Sequence, residues 1–216
     1  GFYTPFFYKE INMGMAGGKS DVKPAFISDE VAADDDFIVT AARPNTAATL
    51  ANTAFASGGA RILTVTTAGT SDNGKTNTIV GTDVFDNALT EVITSTGSAE
   101  AVDGTKYFKT VTSVTSSAQF AGNIEVGSIA SAAQSVGNGN RVRLKGFSIV
   151  SGGTAGVIEF IDGTPESGTV LFKARTIGTD NTTLDRTIPQ NGVLFESGLT
   201  IKYTVGTIDM MTFFFA

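Results

Sequence analysis

Glu91 with Asp83, and Glu159 with Asp162, are pairs of carboxylates of the kind a glycoside hydrolase uses. Such an enzyme needs two carboxyl groups at a defined separation, one to give a proton and one to activate water or attack. Both pairs fall on strand-like segments or at the turns between them, where surface and turn carboxylates belong, so no catalytic residue is assigned. Ser28-Asp29-Glu30 and Asp34-Asp35-Asp36 gather acidic groups that suggest calcium. They lack the glycine and terminal glutamate of a helix-loop-helix calcium site and read as a solvated acidic turn, so no metal site is expected. Gly152-Gly153-Thr154-Ala155-Gly156 lacks the Lys-Ser/Thr ending of a phosphate-binding loop and lies between strand-like segments, so it reads as a turn and no cofactor is expected. The sequence holds no histidine and no cysteine. Ser-His-Asp and Cys-His arrangements and most zinc sites are therefore excluded within this chain.

Two other groups of residues suggest contact rather than catalysis. Phe2, Tyr3, Phe6, Phe7 and Tyr8 concentrate apolar area that water disfavours. Either they cover this chain's own core or they anchor on a neighbouring subunit. Arg141, Arg143 and Lys145 line one predicted strand, with Arg175 and Arg186 expected nearby. They read as an edge or solvent face protected by charge, or as a contact with an acidic neighbouring subunit.

These groups must be positioned by β structure. Gly, Thr and Ser are abundant, long runs of helix formers are missing, and charged residues make up only 17% of the 216-residue chain, a balance that favours an all-β protein. The chain is long enough for one large β domain or two small ones, and two are expected. No apolar run approaches the length of a bilayer span, so no membrane partner is expected. The opening residues lack the basic end, apolar run and small-residue cleavage site of a signal peptide. A formal net charge of −6 argues against nucleic acid as the main partner.

Residues 1–50, interrupted by Pro5, Pro24 and Pro44, read as an extended N-terminal arm. Residues 51–127 read as a first β-sandwich domain. Its strands are expected at Arg61 to Thr66, Thr76 to Thr82, Leu89 to Thr94 and Tyr107 to Thr115, with turns at Ser71 to Gly74, Asp86-Asn87 and Asp103-Gly104. Residues 128–140, rich in Ser, Ala, Gly and Asn, read as a linker, with a short helix at Ile129 to Ala133 as an alternative. Residues 141–216 read as a second domain of the same kind. Val157 to Ile161, Thr169 to Arg175 and the alternating Leu199 to Val205 are strands, and Met210 to Phe215 is a strand too apolar to lie at an exposed edge. The fold class expected is two small antiparallel β-sandwich or jelly-roll-like domains behind an arm.

Arg61 to Gly69, Ile79 to Asp83, Asn87 to Ile93 and Gly104 to Val114 together resemble a β module common among structural proteins of tailed bacteriophages. The similarity covers roughly the middle third of the chain. Leu144 to Phe147, Gly168 to Phe172 and Gly192 to Leu199 are similar to a second small β unit of phage virion proteins. The resemblance implies a non-enzymatic virion component on the capsid surface, a head decoration or cement protein. Its partners would be the major capsid protein and copies of itself, a trimer being one arrangement, with no small-molecule substrate. A tail, neck or fibre protein is the structural alternative. A carbohydrate-binding module or glycan hydrolase is the alternative of another class, weakened by the absence of tryptophan.

Overall fold

The structure is a computed structural model that describes residues 22–27, 32–55, 57–97 and 99–216. The chain is all-β, with fifteen strands in antiparallel sheets and no helix among the described residues. In chain order they are β1 (Lys23–Ile27), β2 (Asp34–Ala42), β3 (Ala60–Thr67), β4 (Thr76–Thr82), β5 (Ala88–Thr94), β6 (Ala101–Phe108), β7 (Thr110–Ser116), β8 (Ile124–Val136), β9 (Val142–Ser151), β10 (Ala155–Asp162), β11 (Thr169–Ile177), β12 (Thr182–Thr187), β13 (Val193–Phe195), β14 (Leu199–Thr204) and β15 (Ile208–Phe215).

A seven-stranded sheet runs through the molecule in the order β11-β10-β14-β8-β3-β6, with β2 also paired to β8. A three-stranded sheet, β5-β4-β7, packs on its β2, β3 and β8 portion. The core between them contains Ile38, Leu63, Ile79, Val114, Ile124 and Val126. A five-stranded sheet, β1-β15-β9-β12 with β13 also on β9, packs on the β8, β10 and β14 portion around Leu144, Ile149, Phe160, Ile201, Met211 and Phe213. Two sandwich-like cores result, one including Ile38 and Val39 from the expected arm and the other Ile27, Ala132 and Val136 from the expected arm and linker.

The segment expected to separate them instead joins them. Residues 128–136 belong to β8, which pairs along one side with β3 and along the other with β2 and then β14. Its small residues mark close packing. A Cβ on Gly127 would lie 2.0 Å from the Asp34 carbonyl oxygen, and Ala132 and Ala133 are fully buried. Further contacts tie the halves together. The Tyr107 N–H donates to Glu166 Oε1 at 2.7 Å, and Phe85 lies against Gly139 and Gly198.

The expected arm also contains structure. Among its described residues, β1 pairs with β15 and β2 pairs with β8. Pro24 is compatible with β1 because β1 is an edge strand. With β1 on one side and β9 on the other, β15 is interior to its sheet, as its apolar density requires. Asp103-Gly104 lies inside β6 and is no turn, and the strand expected from Tyr107 to Thr115 is broken at Lys109 between β6 and β7.

Candidate interaction surface

The acidic residues singled out for chemistry are tied into the fold. Asp83 Oδ1 accepts from the N–H groups of Phe85 and Asn87 at 2.8 and 2.9 Å, closing the β4–β5 turn in which Asp86 takes a left-handed φ of 67°. Glu91 is buried on β5, and its Oε1 accepts from the Thr105 N–H at 2.7 Å and the Thr105 hydroxyl at 2.9 Å. Asp162 Oδ1 accepts from the Ser197 N–H at 2.6 Å. Glu159 sits between two ammonium groups, Lys173 at 2.6 Å and Lys202 at 2.8 Å, which hold its carboxyl below the ordinary value despite partial burial. A carboxylate paired in this way is poorly suited to donate a proton near neutrality.

Asp34, Asp35 and Asp36 open β2 rather than forming a turn, with carboxylate oxygens within 4.8 Å of one another. The side-chain hydrogen bond with Asp34, with some burial and the charges of Asp34 and Asp35, raises the Asp36 carboxyl above its ordinary value. Ser28, Asp29 and Glu30 lie outside the described residues, as do Phe2, Tyr3, Phe6, Phe7 and Tyr8.

β9 lies between β15 and the β12/β13 pair, so Arg141, Arg143 and Lys145 do not guard an edge. Exposed Arg141 pairs with exposed Glu196 at 2.6 Å. Arg143 joins Ala216 through two backbone hydrogen bonds, and Lys145 Nζ donates to the Asn191 carbonyl at 2.9 Å. A bulge at Lys145 lets Val142 and Leu144, then Phe147 and Ile149, all enter the core: Phe214 pairs with Gly146, whereas Phe215 pairs with Leu144.

Two features were not anticipated together. The first is the outer face of the five-stranded sheet, where Phe26 is 71% exposed, Met210 44% and Phe214 42%. Pairing of Pro24 with Phe214 and Phe26 with Thr212 puts these side chains on one face. Gly146, opposite Phe214, contributes no side chain and leaves a shallow hollow of about 500 Å³.

The second is a groove of about 600 Å³ between two sheet edges, β11 of the large sheet and β12 of the five-stranded sheet. Its floor is apolar: Phe147, Phe172, Leu184, Ile188 and Val193. Phe172 stacks on Phe160 with ring centres 4.1 Å apart, which fixes that floor. Lys173, Arg175 and Arg186 supply positive charge at the rim. Lys173 is engaged with Glu159, and Arg186 Nη1 donates to the Asp185 carbonyl. Arg175 and Arg186 were expected near the strand of Arg141, Arg143 and Lys145; they line this groove, and β12 was not expected, because Thr182 to Thr187 lacks the apolar alternation that announces a strand.

Comparisons with protein-family models, with curated proteins and with solved structures found no match.

Proposed function

We propose that this chain is a non-enzymatic structural component of a tailed-bacteriophage virion, a decoration or cement protein on the capsid surface that stabilises the head through contacts with the major capsid protein and with copies of itself. The outer face of the five-stranded sheet carries this reading. Phe26, Met210 and Phe214 expose large apolar side chains around Thr212 on one sheet face, a concentration that suits a protein contact. The resemblance of the β modules supports the virion setting. The structural use of Glu91, Asp83 and Asp162, and the pairing of Glu159 with two lysines, support a surface-acting rather than a hydrolytic protein.

Localising the labelled chain on intact particles tests the proposal. A signal over the whole shell is expected, with binding to isolated heads reduced by Phe26→Ser together with Phe214→Ser. A signal confined to one vertex would favour a tail, neck or fibre protein, and absence from particles would overturn the reading.

A further inference from the structure

We propose that the groove between β11 and β12 takes an extended peptide segment of a partner protein, in which carboxylates alternate with apolar side chains, added as a strand to the free edge of β11. The groove is separate from the outer face of the five-stranded sheet, and its occupant does not depend on the virion setting. β11 and β12 each end a sheet, and both flank the same opening into the second core. Between them the sandwich is open, and Phe172, Leu184, Ile188 and Val193 are only half-buried on its floor. By contrast, both ends of the three-stranded sheet are covered, β5 by its hydrogen bonds to β6 and β7 by bridges from Ala47 and Ala54. Phe172 to Ile177 pair with β10 in unbroken register, so the opposite edge of this stretch offers a regular row of backbone groups to an added strand.

The pleat dictates the pattern of the partner. Along β11, Phe172 and Ala174 pack on the core, while Lys173 and Arg175 are exposed on the other face. A strand laid beside β11 places every second side chain over the groove floor and the side chains between them next to Lys173 and Arg175. The first set must be apolar, and the second is selected by charge. Lys173 already shares Glu159 with Lys202, whereas Arg175 sits opposite Val157 and has no ion pair among the described residues. Arg186 adds a further cation from the β12 wall, and no carboxylate lines the groove among the described residues. On a chain of formal net charge −6 this cleft is a local positive site. Cations on an edge strand discourage pairing with neutral or basic strands, and an acidic strand turns that repulsion into attraction.

The test presents a yeast-displayed library of random peptides, about nine residues long and so able to span the edge of β11, to the purified full-length chain. Enrichment is expected for sequences with Asp or Glu at every second position between apolar residues. The best of them, synthesised, should slow amide exchange in residues 172–177. Methylating its backbone nitrogens at alternate positions should abolish binding, since strand addition needs those N–H groups. Arg175→Glu with Arg186→Glu, both exposed, should weaken binding by about tenfold or more with the far-ultraviolet circular dichroism unchanged. Enrichment of basic sequences or of apolar ones without carboxylates would overturn the proposal, as would no enrichment, binding that survives the charge reversal, or protection confined to other strands. Because purified chain and peptides are used, such a failure is separate from the localisation result.

Discussion

Glu91 shows how an acidic residue becomes structural. On β5 it reaches across to β6 and accepts from the Thr105 N–H and hydroxyl, with the Lys106 N–H at 3.4 Å. Removing the buried carboxylate loses two short hydrogen bonds to donors that solvent can partly reach, so Glu91→Ala should destabilise the fold by about 1–2 kcal/mol. The urea midpoint should fall at unchanged slope. The same carboxylate explains a misread turn. A Cβ on Gly104 would lie 2.5 Å from Glu91 Oε2, so glycine is placed there by crowding within a strand, whereas Asp-Gly in sequence suggests a reversal. The Asp86-Asn87 turn was legible because its left-handed backbone is a local requirement. Glu91's role depends on partners over ten residues away and leaves no local mark.

Glu159 gives a pH dependence. Its folded pKa lies below the ordinary 4.5, through Lys173 first and Lys202 second. A depressed carboxyl contributes stability that is present above the unfolded value and lost as pH falls through the folded one. For Lys202, burial pushes the ammonium pKa down, but Glu159, with smaller contributions from Tyr107 and Glu166, leaves the value above the ordinary 10.5. Seen from that end, the pairing is fully present below the unfolded value and lost as pH rises through the folded one. Unfolding midpoints followed from about pH 6 to about pH 3 should fall less steeply in Glu159→Gln than in the parent chain. Equal slopes would show that the pairing contributes little.

Among the elements, β8 departs most from expectation. Serine, alanine and glycine suggest a linker when read as composition, yet here they let one strand accept β3 on one side and β2 with β14 on the other. Gly127→Ala would drive a Cβ into backbone of β2. That overpacking should cost about 2–3 kcal/mol, read as a lower melting temperature with faster amide exchange in β2. An unchanged melting temperature would mean that β2 is not seated on β8. By contrast, β4 and β5 were legible because buried and more exposed residues alternate strictly, with Ile79 and Ile93 inside and threonines outside, a pattern contained within each strand. Neither β1 nor β2 carries such a signal. Each joins an existing strand and is completed by β15 or β8, and no local pattern announces that partner.

For the whole molecule, the shared strand predicts how the two cores fail. Units joined by a linker would unfold independently, whereas cores built on one strand should lose structure together. Phe160→Ala removes a fully buried ring from one core and should cost about 3–5 kcal/mol. Hydrogen exchange should then show reduced protection in β4 and β7, which belong to the other core. Protection there equal to the parent's would restore the picture of two independent domains. Apolar strands that feed each core were legible, Thr76 to Thr82 for one and Leu199 to Thr204 for the other. The fusion of the cores was not, since Tyr107 with Glu166 and Phe85 with Gly139 and Gly198 meet only after folding.

The pairing of β1 with β15 places Lys23 opposite Phe215. The described polypeptide is therefore nearly a closed circuit, its first and last strands held side by side. Joining residue 22 to residue 216 through a short flexible bridge and opening the chain at Gly153, an exposed turn position where an added Cβ meets nothing, should give a circular permutant that keeps every strand pairing. Its far-ultraviolet circular dichroism should match that of the parent. In such a molecule residues 1–21 could be omitted, or offered as a separate peptide, with the β1–β15 pairing kept.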